Sequence, residues 1–160
     1  MKYFAFVCVL SVAFLTTISC KYPNHLPNEI SNKFVKGKNL DKVWSDPSFR
    51  GRFEYRVNVK WHNSKEAMEY QDFVKNKLYI IENPGSSNEL VLYIRLDKSP
   101  LMVGLATPGV FIDGIIYNKD RRIIAAFTNE RLTVIPSSTN LKNAIEDSLK
   151  FIHLEFNANQ

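Results

Sequence analysis

The sequence predicts an α+β domain, a two-layer α/β sandwich in which a mostly antiparallel or mixed sheet of about four strands carries two helices on one face. Three observations lead there. Phe53, Tyr55, Val57, Val59 and Trp61 alternate with Glu54, Arg56, Asn58 and Lys60, the two-residue period of a half-buried strand. Two later segments repeat apolar residues every three or four positions, which is the period of an amphipathic helix. Between them lie one short apolar run and two β-rich runs joined by a polar link. Two helices that each own a single apolar stripe are satisfied by covering the same face of such a sheet.

The elements follow in order. Val43 to Phe49 is a turn-rich lead-in, because Pro47 fixes its own φ and excludes the helical region for Asp46. The strand Phe53 to Trp61 comes next. Asn63 then offers a side-chain cap with Glu66 three residues on, and Ala67, Tyr70, Val74, Leu78 and Ile81 form the stripe of the first helix. Asn83-Pro84-Gly85-Ser86-Ser87-Asn88 breaks it. Leu90 to Leu96 is apolar, β-rich and seven residues long, which predicts a central strand buried on both faces. After a reversal around Ser99-Pro100, Val110 to Tyr117 and Arg122 to Phe127 form a hairpin across Asn118-Lys119-Asp120-Arg121. Past Pro136, the caps Ser137 to Asn140 open a last helix with Leu141, Ala144, Ile145, Leu149, Ile152 and Phe156 on one side. Glu146 and Lys150 support it from four residues apart.

The organisation expected around this body has three parts: a signal peptide over residues 1–19, a lipid-anchored tether over 20–44 and the α/β domain over 45–160. Lys2 followed by the apolar run from Tyr3 to Thr17 has the charged and apolar regions of an export signal. Thr17-Ile18-Ser19-Cys20 resembles a bacterial lipobox, whose Cys is acylated and becomes the first residue of the mature protein; Thr17 stands where Leu is usual. Ordinary cleavage nearby and an uncleaved anchor are the other outcomes compatible with these residues. Cys8 and Cys20 are the two cysteines of the chain. A lone exported thiol is an oddity unless it is paired or blocked, and acylation blocks it. Lys21 to Trp44 contains Pro23, Pro27 and scattered Asn with no sustained period, the texture of a flexible linker, in which Ile30, Phe34 and Val35 are the residues able to dock locally.

Charge adds little. Lys and Arg number 21 against 16 Asp and Glu, a formal +5, spread along the chain with denser groups at Lys33 to Lys38 and Arg50 to Arg52. The first group is placed to meet anionic lipid, or to be a solvated loop. Nucleic acid is not an expected partner, since basic residues and stacking aromatics do not interleave.

Motifs for catalysis are sparse. His25, His62 and His153 have no metal-binding spacing, and no phosphate loop, dinucleotide fingerprint or nucleophile elbow occurs. Neither metal nor cofactor is expected, and no catalytic residue. Asp113 interrupts the apolar run from Val110 to Ile116; sharing a face with Phe111 and Ile115, it must be exposed, paired or functional. Exposure is the expectation, with Gly114 marking a bulge that turns it outward. With Trp44 and Phe49 it makes up the candidate binding surface.

Cys20, the Trp44-x-Asp46-Pro47 lead-in, the strand Phe53 to Trp61, the helix through Glu69 and Leu78, and the hairpin Gly109 to Phe127 with its terminal helix together carry a resemblance. From Val43 to Phe156 the chain resembles small bacterial envelope lipoproteins of unassigned function, whose α/β domain is similar to penicillin-binding-protein activators and the TolB amino-terminal domain. The resemblance implies a non-enzymatic, membrane-tethered protein on the periplasmic face that binds another envelope component. Two other readings suit the same residues: an exported immunity protein that neutralises a toxin, and a small-ligand binder or enzyme that uses Asp113.

Overall fold

The computed structural model describes residues 25–47, 49, 55–98 and 108–157. The leader, Cys20, the Arg50 to Arg52 group, the strand residues Phe53 and Glu54 and the reversal at Ser99-Pro100 fall outside them. The fold is mixed α/β, built on a five-stranded mixed sheet with helices.

Strand β1 (Lys42–Ser45) and helix α1 (Asn28–Ser31) precede β2 (Arg56–Trp61). Helix α2 (Ser64–Lys77) continues into a 3-10 turn (Leu78–Ile80), and β3 (Glu89–Asp97), β4 (Gly109–Tyr117), β5 (Ile123–Leu132) and α3 (Ser138–Asn157) follow. The strand order is β1-β5-β4-β3-β2. β2 and β3 are parallel, the pairing that a helical crossover such as α2 allows; the other neighbours are antiparallel.

Both expected cap residues accept an amide, whereas Glu66, expected to complete a capping box with Asn63, has a buried Oε2 with no hydrogen-bond partner. Asn63 Oδ1 accepts the Lys65 amide at 3.2 Å, and Ser137 Oγ accepts the Asn140 amide at 3.1 Å. The hairpin closes with Arg121 at φ 61°, while Asn118 Oδ1 accepts the amides of Asp120 and Arg122, both at 3.0 Å.

Alternation sorts the sheet into two faces. Leu90, Leu92, Ile94 and Leu96 of β3, Val110, Ile112 and Ile116 of β4, and Phe127 of β5 join Tyr70 and Val74 of α2 and Leu141, Ile145, Leu149 and Ile152 of α3 in one buried core. Each such side chain taken from water contributes roughly 1.5–3 kcal/mol. A buried polar pair lies within this layer: Asn129 Nδ2 donates to Ser148 Oγ at 2.8 Å, and Ser148 Oγ donates to the Ala144 carbonyl at 2.8 Å.

The described part of the segment expected to be a tether, from His25 to Trp44, packs on the domain. Leu26 and Ile30 are buried on the opposite face against Ile115 and Ala126. The chain then wraps the β1 edge, placing Leu40 in the helix-side core and β1 beside β5. The loop between them is clamped by Glu155 of α3, whose carboxylate accepts the amides of Lys38 at 3.0 Å, Asn39, and Leu40 at 3.3 Å. Leu26 and Ile30 are too few to display a period, and four-residue β1 is too short to display alternation. Their structure comes from the sheet they cover.

Two further expectations change. Leu90 to Leu96 is an interior strand as expected, but it is not buried on both faces, since Tyr93 and Arg95 are half-buried. Gly114 is not a bulge either. Asp113 and Gly114 are in regular register with both neighbours, and the irregularity lies at Ile116/Tyr117. A methyl group on Gly114 would overlap the ring of Phe127, so glycine at this position makes room for a core aromatic.

Candidate binding face of the sheet

The face away from α2 and α3 is covered in part by the chain around α1. Register places Lys60, Tyr93, Asp113 and Thr128 in one cross-strand row, and Arg95, Phe111 and Glu130 in the next. Cations lie over aromatic rings along this face. Lys33 Nζ is 5.6 Å from the centre of the Trp44 ring, Lys60 Nζ 5.5 Å from Tyr93, the Arg95 guanidinium 4.0 Å from Phe111 and the Arg121 guanidinium 5.0 Å from Tyr117. Each such contact contributes roughly 0.5–1 kcal/mol at an exposed site, and together they fix how the charges are displayed.

His25 stacks on Tyr93 with ring centres 4.2 Å apart and planes 7° from parallel. Its ring centre is 6.4 Å from that of His62, which follows β2. Burial, reinforced by His62 and Lys60, holds the His25 imidazole below its usual range, favouring the neutral ring. These two rings, Tyr93, Arg95, Phe111 and Asp113 line a cleft of about 20 Å³, room for about one water.

Asp113 is half-buried rather than exposed. Burial pushes its carboxyl up to about 6, with Arg95 pulling the other way. The arrangement exchanges a proton near pH 6 and presents one polar group among aromatic and basic ones. Among the described residues no group of three His, Cys, Asp or Glu side chains is placed to hold a metal.

The three sequence-derived candidates separate. Trp44 and Asp113 share this face, since Trp44 is opposite Ala126 and Asp113 opposite Thr128 on β5. Phe49 packs against the helix-side core instead. His25, Arg95 and Tyr93 were missed: His25 sits in the segment read as a tether, and the other two are inside a strand read as buried on both faces. The β3 alternation of Tyr93 and Arg95 with Leu92, Ile94 and Leu96 was the available signal.

Larger openings flank the face. One, of about 500 Å³, lies past the ends of β2 and β3, where His62, Asn63 and Glu66 meet Arg95, Asp97 and Lys98. The other, of about 570 Å³, borders the clamped loop, with Lys36, Lys38, Lys42, Asp41, Arg131 and Phe151 around it.

No protein-family model matches the chain, and no curated protein matches it. Among solved structures, a PelC dodecamer from Paraburkholderia phytofirmans is similar at 12% identity, covering 69% of this chain and 94% of that one with a TM-score of 0.42. A point variant of the same dodecamer gives 12%, 69%, 95% and 0.41. At that level the likeness carries no inference about function.

Proposed function

We propose that this chain is an exported lipoprotein of the small bacterial envelope type, anchored through Cys20 to the periplasmic face of a membrane. Its domain acts as a non-enzymatic binding module for another envelope protein. The observation that carries the reading is the row of cation–aromatic pairs on the sheet face that α2 and α3 leave open. Aromatic residues and Arg are the types enriched where proteins meet, and Lys60 and Arg121 are exposed on this face. A partner with an acidic surface fits it.

A reading in which Asp113 serves a small ligand or a reaction has one observation in its favour, a half-buried carboxyl raised toward neutrality beside two histidines. The cleft at Asp113 has the size of a water rather than of a substrate, so binding through the wider face leads.

The experiment is made in the full-length chain, produced with its own leader and recovered from membranes. Intact mass is expected to correspond to cleavage before Cys20 plus acyl chains; an unacylated product defeats the anchor. Photo-crosslinking to envelope proteins is then compared between the wild type and Lys60→Glu/Arg121→Glu, with Lys75→Glu on α2 as control. A cross-linked species lost tenfold or more in the double variant and kept in the control supports the face. Equal yields in all three would defeat it.

A further inference from the structure

We propose that the recess beside the clamped loop, about 570 Å³ in volume, binds a phosphate group carried on an apolar body. The phosphate lies against Arg131 and the loop lysines, and the apolar body against Phe34, Val35 and Phe151. This site goes beyond the reading above, since it needs neither the lipid anchor nor the cation–aromatic face.

Arg131 carries the argument. It is half-buried near the end of β5, with its guanidinium 4.3 Å from the centre of the Phe151 ring. A guanidinium offers five donors in a fixed fork. Here Nη2 makes a long bond to the Asn39 carbonyl, at 3.4 Å, and the buried Nε has no hydrogen-bond partner. Arg131 has no ion pair among the described residues. A buried charged donor left unsatisfied is costly, and an anion in the recess would offset that cost.

The neighbouring carboxylates are already engaged. Asp41 Oδ2 accepts the Glu130 amide at 2.5 Å, and Glu155 accepts the amides of the loop. The Glu130 side chain belongs to the opposite face of β5, because successive strand residues alternate. Lys36, Lys38 and Lys42 also line the recess, are exposed and have no ion pair among the described residues. Four cations therefore surround one opening against the single lining carboxylate of Asp41. Such a surplus inside a concave wall concentrates anions. It suits a doubly charged phosphate better than a carboxylate, and the Arg fork matches phosphate oxygens.

The walls stand ready before any ligand arrives. Val35 and Val43 exchange backbone bonds at 3.0 and 2.8 Å, and Glu155 holds the loop between them. A methyl group on Gly37 would come within 2.6 Å of the Leu40 carbonyl oxygen, so the loop closes on itself too tightly for another residue. Preformed walls reduce the ordering cost of binding. The volume falls within the range of about 300–1,000 Å³ typical of small-molecule sites, and the 64% exposed Val35 gains a contact there.

The test uses the full-length protein in a nonionic detergent at low ionic strength. Phenyl phosphate, inorganic phosphate and phenol are titrated by calorimetry. Phenyl phosphate is expected to bind at one site, at least tenfold tighter than either half alone, and to lose tenfold or more in affinity in Arg131→Gln. Lys36→Gln/Lys38→Gln, at exposed positions where folding is not at stake, is expected to weaken it at least threefold, with Lys75→Gln on α2 unchanged. Native mass spectrometry with phosphatidylglycerol and phosphatidylcholine identifies the source. A phosphatidylglycerol adduct lost in Arg131→Gln supports a lipid headgroup, whereas phenyl phosphate binding with no lipid adduct supports a soluble ester. Binding of neither probe, or binding that both variants retain in full, overturns the proposal.

Discussion

The two faces of the sheet come from the same strands and are built on different terms. Toward α2 and α3, β3 and β4 supply Leu90, Leu92, Ile94, Leu96, Val110, Ile112 and Ile116, all buried. Toward the other side the same strands supply Tyr93, Arg95, Phe111 and Asp113, all half-buried. Long helices cover the first face, whereas one helical turn and a wrapped loop cover part of the second. A strand interior thus serves two purposes at once, because successive side chains point to opposite faces. Stability is concentrated where packing is complete, and the polar chemistry stands where it is not.

The largest effect that would sharpen this contrast is Phe127→Ala. The ring fills the space that Gly114 leaves open and meets Phe156 at 5.8 Å between centres, so its loss is expected to cost about 3–5 kcal/mol in urea unfolding. A cost below about 1 kcal/mol would mean that the helix-side layer is not the one that holds the fold.

Asp113→Asn is next and carries the opposite sign. The folded carboxyl titrates at about 6 against an ordinary 3.8. As pH rises through that interval, the unfolded chain loses its proton first, so the wild type loses stability with rising pH. The variant is therefore expected to match the wild type below about pH 4 and to exceed it above about pH 6 by up to about 3 kcal/mol. Thermal unfolding across pH 3.5 to 7.5 reads this directly. A flat difference would mean that Asp113 is solvated and that the open face has no buried polar centre.

Trp44→Ala gives the smaller change. Trp44 is half-buried beside Lys33, and its truncation is expected to cost about 2 kcal/mol, less than a fully buried ring. Hydrogen exchange at Val35 and Val43, whose amides and carbonyls pair at 3.0 and 2.8 Å, would show local release of the wrapped segment. If Trp44→Ala destabilises as much as Phe127→Ala, the two faces are energetically alike and the comparison fails.

Much of the helix-side layer was legible beforehand. The alternation from Val57 to Trp61, the stripes of Ala67 to Ile81 and Leu141 to Phe156, the caps at Asn63 and Ser137 and the link at Asn118 are local patterns, and the structure contains each one. β5 runs on to Leu132, past the Phe127 expected from composition, because its pairing with β4 carries the polar residues Thr128 to Arg131 along. Of the candidate site, Asp113 and Trp44 were named and do share a face. The stacking of His25 on Tyr93 was not readable, because it joins residues far apart in sequence through a segment without a pattern of its own.

By itself, the sequence determined which segments become helices and which strands, and which side of each seeks a core, since these depend on neighbours within a turn or a pleat. The tertiary structure alone decided that residues 25–45 cover the β5 edge, that Asp113 loses water while staying in register, and that two distant histidines approach each other. Those outcomes depend on which surfaces remain uncovered once the main core has formed, and an uncovered sheet edge recruits whatever nearby chain can satisfy its hydrogen bonds.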